Sequence, residues 1–283
     1  SLYLSYLTNN DWYFEAGAEH YVMWGGISPE NRYGQLPEDF KSYLRYIIGS
    51  MGGENLPQID QLNVAGNQLG TYQLKISKKF KKSKVTVYAS HPFEDFSGVN
   101  LRNWPDNLLG ISFEMKDKTK FITHILYEYT NTRQQSIRDS LYEWNEEEEK
   151  WRRMEYDNYY NHGYYRSGYT YHNMMMGSPL FGPLKESEGI TTGIRSNRFF
   201  AHHIGLLGTI NEFVKWKSMI TYTHHFGTWS QPYKTTKKQL SILLQLTINH
   251  PKIPFNINLA TATDAGNQIN TNSGFRFQVS KSF

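Results

Sequence analysis

The sequence predicts an all-β protein, a transmembrane antiparallel up-and-down β-barrel with short periplasmic turns and long extracellular loops. Three observations predict it. Apolar and polar residues alternate with a period of two along most of the chain. The connections between these segments are short and long in strict alternation. The last segment, GFRFQVSKSF, puts Phe275, Phe277, Val279 and Phe283 on alternate positions and ends on an aromatic residue.

Composition narrows the class. The chain has 283 residues, no cysteine, a formal net charge of +4, 21 Tyr, 16 Phe and 7 Trp. Absent cysteine excludes a disulfide framework and thiolate metal sites. Mean hydropathy is −0.63, and no run of about 18 apolar residues exists to form a transmembrane helix. A barrel escapes that test, because only every second residue of its strands faces lipid.

Eleven strands are expected, at 2–8, 12–24, 61–79, 84–92, 107–115, 120–131, 198–210, 214–226, 238–249, 254–263 and 273–283. Leu109, Ile111, Phe113 and Met115 alternate with Gly110, Ser112 and Glu114. Phe121, Ile125, Tyr127 and Tyr129 share a face with Thr123, opposite His124, Glu128 and Thr130. Ile242, Leu244, Leu246 and Ile248 alternate with Ser241, Gln245, Thr247 and Asn249. Phe255, Ile257 and Leu259 alternate with Asn256 and Asn258. The 198–210 and 214–226 segments are strand-like without a clear face. Most segments reach the roughly 9–11 residues of a tilted membrane strand.

Short turns fall at 9–10, 79–83, 116–120, 211–213 and 250–254, and long loops at 25–60, 93–106, 132–197, 227–237 and 264–272. In a meander this parity gathers every long loop at one end. A terminal strand that is apolar on one side and ends in Phe283 suits barrel closure with a periplasmic C-terminus, in the outer membrane of a Gram-negative bacterium. Eleven is odd, whereas bacterial single-chain barrels are mostly even. The opening SLYLSYLTNNDWYF already alternates, so residues 1–283 are expected to be one barrel domain lacking its N-terminal strands.

The loops carry the candidate chemistry. In the first, LPEDFKSYLRYIIGSMGG reads as a short helix with Pro37 at its first position, Glu38 and Asp39 in its first turn and Gly49 as its stop. Phe40, Leu44, Ile47 and Ile48 form an apolar stripe expected to pack on the barrel rim or in the lumen. The 93–106 loop gathers Asp95, Arg102, Asn103, Trp104 and Asp106, flat aromatic and planar polar groups of the kind that bind sugars. They suit an ordered external loop equally well. The 132–197 loop has an acidic run, Glu146 to Glu149, read as a solvated face, followed by a Tyr-rich half, YDNYYNHGYYRSGYTYHNMMMGSPLFGP. Tyr at that density suits polar ligands at low entropic cost, an aromatic girdle or a self-packed loop.

Other sites are set aside. His202–His203 and His224–His225 cannot chelate as pairs, because adjacent strand residues point to opposite faces. No phosphate loop, dinucleotide glycine pattern or nucleophile elbow occurs. No carboxylate pair or nucleophile–base set stands out, so no enzyme and no cofactor is expected. The lysines gather in the short turns, which argues against nucleic acid and for anionic lipid.

Several segments together carry a resemblance: FEAGAEHYVMWGGISP, DQLNVAGNQLGTYQLKI, HPFEDFSGVNLRNWPDNLLGISFE, YEYTNTRQQS, YYNHGYYRSGYTYHNMMMGSPLFGP and NRFFAHHIGLLG. In order and spacing they resemble the Wzi family of capsule-assembly outer-membrane proteins over nearly the whole chain. The resemblance implies a large barrel with helices obstructing its lumen, and a lectin that holds capsular polysaccharide at the cell surface. Glycan contacts are then expected from Arg102, Trp104 and Asp106, with His162, Tyr164 and Tyr165 next. Expected partners are outer-membrane lipid and lipopolysaccharide, capsular or surface polysaccharide, and other outer-membrane proteins. The alternatives are a porin-like channel lined by Glu114, Glu128, Gln245 and Asn258, or a structural subunit of a larger outer-membrane complex.

Overall fold

The structure is a computed structural model that describes residues 1–27, 34–50, 65–137, 142–145, 150–153, 156–163, 165–172, 174–187 and 190–281. Its frame is one antiparallel sheet of eleven strands in chain order: β1 Leu2–Leu7, β2 Trp12–Met23, β3 Asn67–Lys79, β4 Ser83–Phe93, β5 Asn107–Met115, β6 His124–Asn131, β7 Arg198–Asn211, β8 Val214–Gly227, β9 Pro232–Asn249, β10 Asn256–Gly266 and β11 Asn272–Ser280. Every strand expected from alternation is present, and each pairs with its neighbour in sequence. Among the described residues, no helix is long and apolar enough to cross a membrane.

The register sorts the two faces. Tyr6, Phe14, Ile76, Val87, Ile111, Tyr127, Ile204, Ile220 and Ile242 face one another across nine consecutive strands. On β9–β11 the apolar row continues as Leu246, Leu259 and Phe277. The opposite face carries Ser5, Glu15, Lys75, Tyr88, Gly110, Glu128, His203, Thr221, Ser241, Asp264 and Asn272 in one row. The apolar face is the open one: Leu4 is 68% exposed, Leu74 52%, Val87 51%, Leu244 50% and Phe275 72%. The register also gives the 198–210 and 214–226 segments the faces that their alternation left open.

The packed core lies on the polar face near the loop end. There Tyr159, Phe181 and Ile194 of the long loop cover Phe199 and Ala201 of β7. Gly110 on β5 lets the Tyr88 ring lie flat across the sheet, since a Cβ there would come within 2.1 Å of the ring. The Tyr88 hydroxyl donates to Glu128 on β6, two strands away.

Several expectations are corrected. Of the expected barrel, an antiparallel meander that runs from β1 to β11 is present, and among the described residues β11 pairs with β10. Closure depends on strand number and shear, which local alternation does not encode. The terminal Phe283 lies outside the described residues. β3 begins at Asn67 and β6 at His124, later than expected, so the turn between β5 and β6 spans 116–123. The last two long loops shrink to 228–231 and 267–271, because β9 and β10 run on into polar sequence. Strict long–short alternation therefore holds only for the first three loops, 24–66, 94–106 and 132–197.

Helix α1, Phe40–Ile48, forms as expected, but its N-cap is Asp39, whose side chain accepts from the Ser42 amide. Pro37 and Glu38 therefore precede the helix. Gly49 ends it at φ 63°, with its N–H turned back to the Arg45 and Tyr46 carbonyls. The apolar stripe is not buried, although Ile47 and Ile48 border a groove with Gln68, Phe93 and Val99. Phe40, Leu44, Ile47 and Ile48 are exposed, while Ser42 and Tyr46 are buried. Helical periodicity states which residues share a face but not where that face turns. A short helix α2, Phe96–Val99, and three small antiparallel strand pairs, Tyr142–Asn145 with Lys150–Arg153, Thr170–Tyr171 with Met174–Met175 and Leu184–Ser187 with Ile190–Ile194, were not anticipated.

Candidate functional site

The long loops are tied to the sheet by a buried polar network at the ends of β4–β7. His91 bonds through its two ring nitrogens to Asn107 and Asn103, at 3.1 and 3.0 Å. Asn103 donates to the Pro92 carbonyl at 2.8 Å and to the Tyr159 hydroxyl at 2.6 Å. Asp106 is the hub. Its Oδ1 accepts from Asn131 Nδ2 at 3.0 Å and the Gln134 amide at 2.8 Å, and its Oδ2 from the Gln135 amide at 2.6 Å and the Tyr159 hydroxyl at 3.1 Å. Gln135 and Ser136 take up left-handed backbone, φ 49° and 56°, which turns the chain so that successive amides meet that carboxylate.

The network extends along the 132–197 loop. Ser136 donates to Asp157 at 2.5 Å, and Ser97 of α2 reaches both Ser136 at 2.6 Å and Asp157 at 3.2 Å. Glu94 accepts from the Tyr160 amide at 2.6 Å, and Asn197 holds the Tyr159 carbonyl at 2.9 Å. Burial pushes the Asp106 carboxyl up to about 6. Burial and the neighbouring Asp95 charge raise Asp157. Burial, then Asp157, hold Glu94 well above the usual carboxylate range.

Beneath the loop, against the polar face of the sheet, lies a cavity of about 1000 Å³. Its floor includes Glu19, Thr71, Glu128 and His203, and its roof Tyr160, Tyr169, Leu180 and Phe181. Tyr169 pins the roof by donating to the Asn67 carbonyl at 2.7 Å and the Tyr21 carbonyl at 3.2 Å. The arrangement combines polar acceptors below with aromatic faces above. Among the described residues, no group of three or more His, Cys, Asp or Glu could hold a metal ion.

The expected glycan residues divide. Trp104 is 61% exposed, with its ring 5.7 Å from that of His91. Arg102 is also exposed, on the same loop. Asp106 and Asn103 are fully buried, their polar atoms engaged by the network. Tyr165 is buried against Leu36. His162 is half-buried, accepts from the Tyr165 amide at 3.3 Å, and is held down to about 4 by burial. Tyr164 and Glu146 to Glu149 lie outside the described residues. Trp104 and Arg102 are thus both exposed on the 94–106 loop, while Tyr165 belongs to packing.

No protein family, curated protein or solved structure matches this chain.

The expected pore-lining residues share the polar face. Glu128 borders the cavity. Glu114 instead pairs with Lys118 at 2.6 Å near the turn end, and Thr247 links Gln245 and Asn258 at 3.5 and 2.7 Å. The histidine pairs straddle the sheet as argued. His202 meets Tyr127 at 2.8 Å on the apolar face, and His203 meets Thr221 at 2.7 Å on the other. Sequence reasoning missed His91, Gln135, Tyr159 and Asn197. Their polar side chains sit in segments that carry the resemblance, and that was the available signal.

Proposed function

We propose that the chain is a non-enzymatic, membrane-spanning β-barrel protein of the outer membrane, and that it holds surface polysaccharide on its loop rim. The observation that carries the membrane reading is the two-faced sheet. Its apolar side carries exposed large apolar side chains on nine of the eleven strands, β8 and β10 being half-buried there, while its polar side is the one covered by chain. A water-soluble fold would bury the first and expose the second. Open edges cannot stand in hydrocarbon, so the proposal requires the free edges of β1 and β11 to be paired in the membrane.

The polysaccharide reading draws on the Wzi resemblance and on the rim. Trp104 offers a flat face and Arg102 a cation for acidic sugars, on a loop fixed by Asn103 and Asp106. The Asp106 and Asp157 carboxylates are engaged in loop hydrogen bonds, which supports a structural over a catalytic role. Capsule partition in a strain lacking the protein tests this. Polysaccharide should move from washed cells to the medium while total synthesis holds, and an unchanged partition would rule the anchor out.

The cavity above Glu128 favours a second reading, a channel for small polar solutes. Steady conductance of the complete protein in a planar bilayer would select it over an obstructed lectin. The exposed α1 stripe favours a third reading, a subunit of a larger assembly. Co-purification of a defined partner under gentle detergent, lost on Ile48→Asp, tests that.

A further inference from the structure

On the apolar face, the loop end of β6–β9 is aromatic. Phe200, His202, Tyr222 and His224 meet there by register, beside Tyr129, and Phe226 stacks on His224 with centroids 4.8 Å apart. Just beyond, the surface becomes cationic. The Arg133 guanidinium stands 5.2 Å from the Phe200 ring and 5.7 Å from the Phe226 ring, and its Nε donates to Asn131 at 2.6 Å. Lys238 lies across from His224, and Lys234 follows on the same side of β9. Thr236, between the two lysines, reaches His224 Nε2 at 2.6 Å, which fixes that side as the apolar one. Arg198 adds a fourth cation, 3.1 Å over the Trp229 ring.

Arg133, Lys234 and Lys238 are exposed, and among the described residues no carboxylate comes within 4.0 Å of any of them. An aromatic belt marks the height of a lipid–water boundary. Cations clustered just above such a belt face the headgroups, and they attract anionic ones. The planar guanidinium of Arg133 is held over two rings, and it suits bidentate contact with phosphate oxygens. Further along the same face, Ile204, Ile220 and Ile242 offer a surface for acyl chains.

We propose that this patch binds the phosphorylated headgroup of an outer-leaflet glycolipid. The inference rests on the membrane-spanning reading and adds a specific lipid site to it. The test uses the complete protein in phosphatidylcholine vesicles, with lipid A and its dephosphorylated form as probes. Flotation reports insertion, and native mass spectrometry reports lipid retained.

The wild type should insert and prefer the phosphorylated lipid. The triple variant Arg133→Gln, Lys234→Gln, Lys238→Gln should insert equally well and lose roughly 100-fold in lipid A affinity. A variant with Lys81, Lys82 and Lys118 changed to Gln, in turns at the other end, should keep it. Equal retention of both lipids by the wild type would overturn the site without any variant. So would a triple variant that holds lipid A as the wild type does. In both cases flotation would leave the membrane reading standing, whereas a protein that fails to float with vesicles would overturn both.

Discussion

Replacing Asp106 should unfasten the long loop while leaving the sheet intact. The carboxylate accepts four hydrogen bonds, from the Gln134 and Gln135 amides, Asn131 and Tyr159. Asp106→Ala orphans all four donors in a site with no exposed surface. Each orphan costs about 1–3 kcal/mol, and relaxation of the loop makes the four less than additive. A net loss of about 3–5 kcal/mol is expected. Relief of a costly buried charge opposes it. The Asp106 carboxyl sits near 6 against an ordinary 3.8, which at about 1.4 kcal/mol per unit amounts to about 3 kcal/mol above pH 6.

That shift has a sign. The folded value exceeds the unfolded one, so the stability that Asp106 contributes is complete below about pH 4 and is lost as pH rises through about 6. Amide hydrogen exchange at Gln134 and Gln135 reads both effects. At pH 5, Asp106→Ala should lower protection there by about 10²- to 10⁴-fold, with β8–β10 amides unchanged. In Asp106→Asn, the part of the decline between pH 4 and pH 6 that belongs to this residue should vanish. Protection at Gln134 and Gln135 within threefold of the wild type in the alanine variant would refute the hub.

Three further outcomes are expected. Gly110→Val forces a side chain into the Tyr88 ring and should lower the detergent melting temperature by an amount matching about 1–3 kcal/mol, with Tyr88→Ala restoring part of the loss. Gly49→Ala, at φ 63°, should weaken α1 by about 1 kcal/mol, seen as faster proteolysis within 40–50 and no change in the sheet. Trp104→Ala should leave stability within about 0.5 kcal/mol and lower capsule retention on washed cells; full retention would remove Trp104 from the proposed binding surface.

The strands were legible because each lies between two different surroundings, and period-two alternation records that difference directly. Legibility failed where the difference fades. Residues 232–237 are polar on both sides because they rise above the apolar band, so this part of β9 read as loop. The same holds for Asp264–Gly266 of β10. The network was hidden for another reason. Asp106 finds Gln135, and Asn103 finds Tyr159, across intervals that carry no local period. Trp104 and Asp106 looked equivalent in the sequence, and only the fold exposes the one and buries the other.

The central claim is that the exposed apolar face meets lipid. The chain has no cysteine, so single cysteines can be introduced along β9 at 241–247 and spin-labelled in vesicles. Collision with oxygen, which partitions into lipid, and with a water-soluble nickel chelate reports the environment of each site. The account predicts high oxygen and low nickel accessibility at Ile242, Leu244 and Leu246, and the reverse pattern or protection from both at Ser241, Leu243, Gln245 and Thr247. Nickel accessibility at Leu244 equal to that at Gln245 would contradict it.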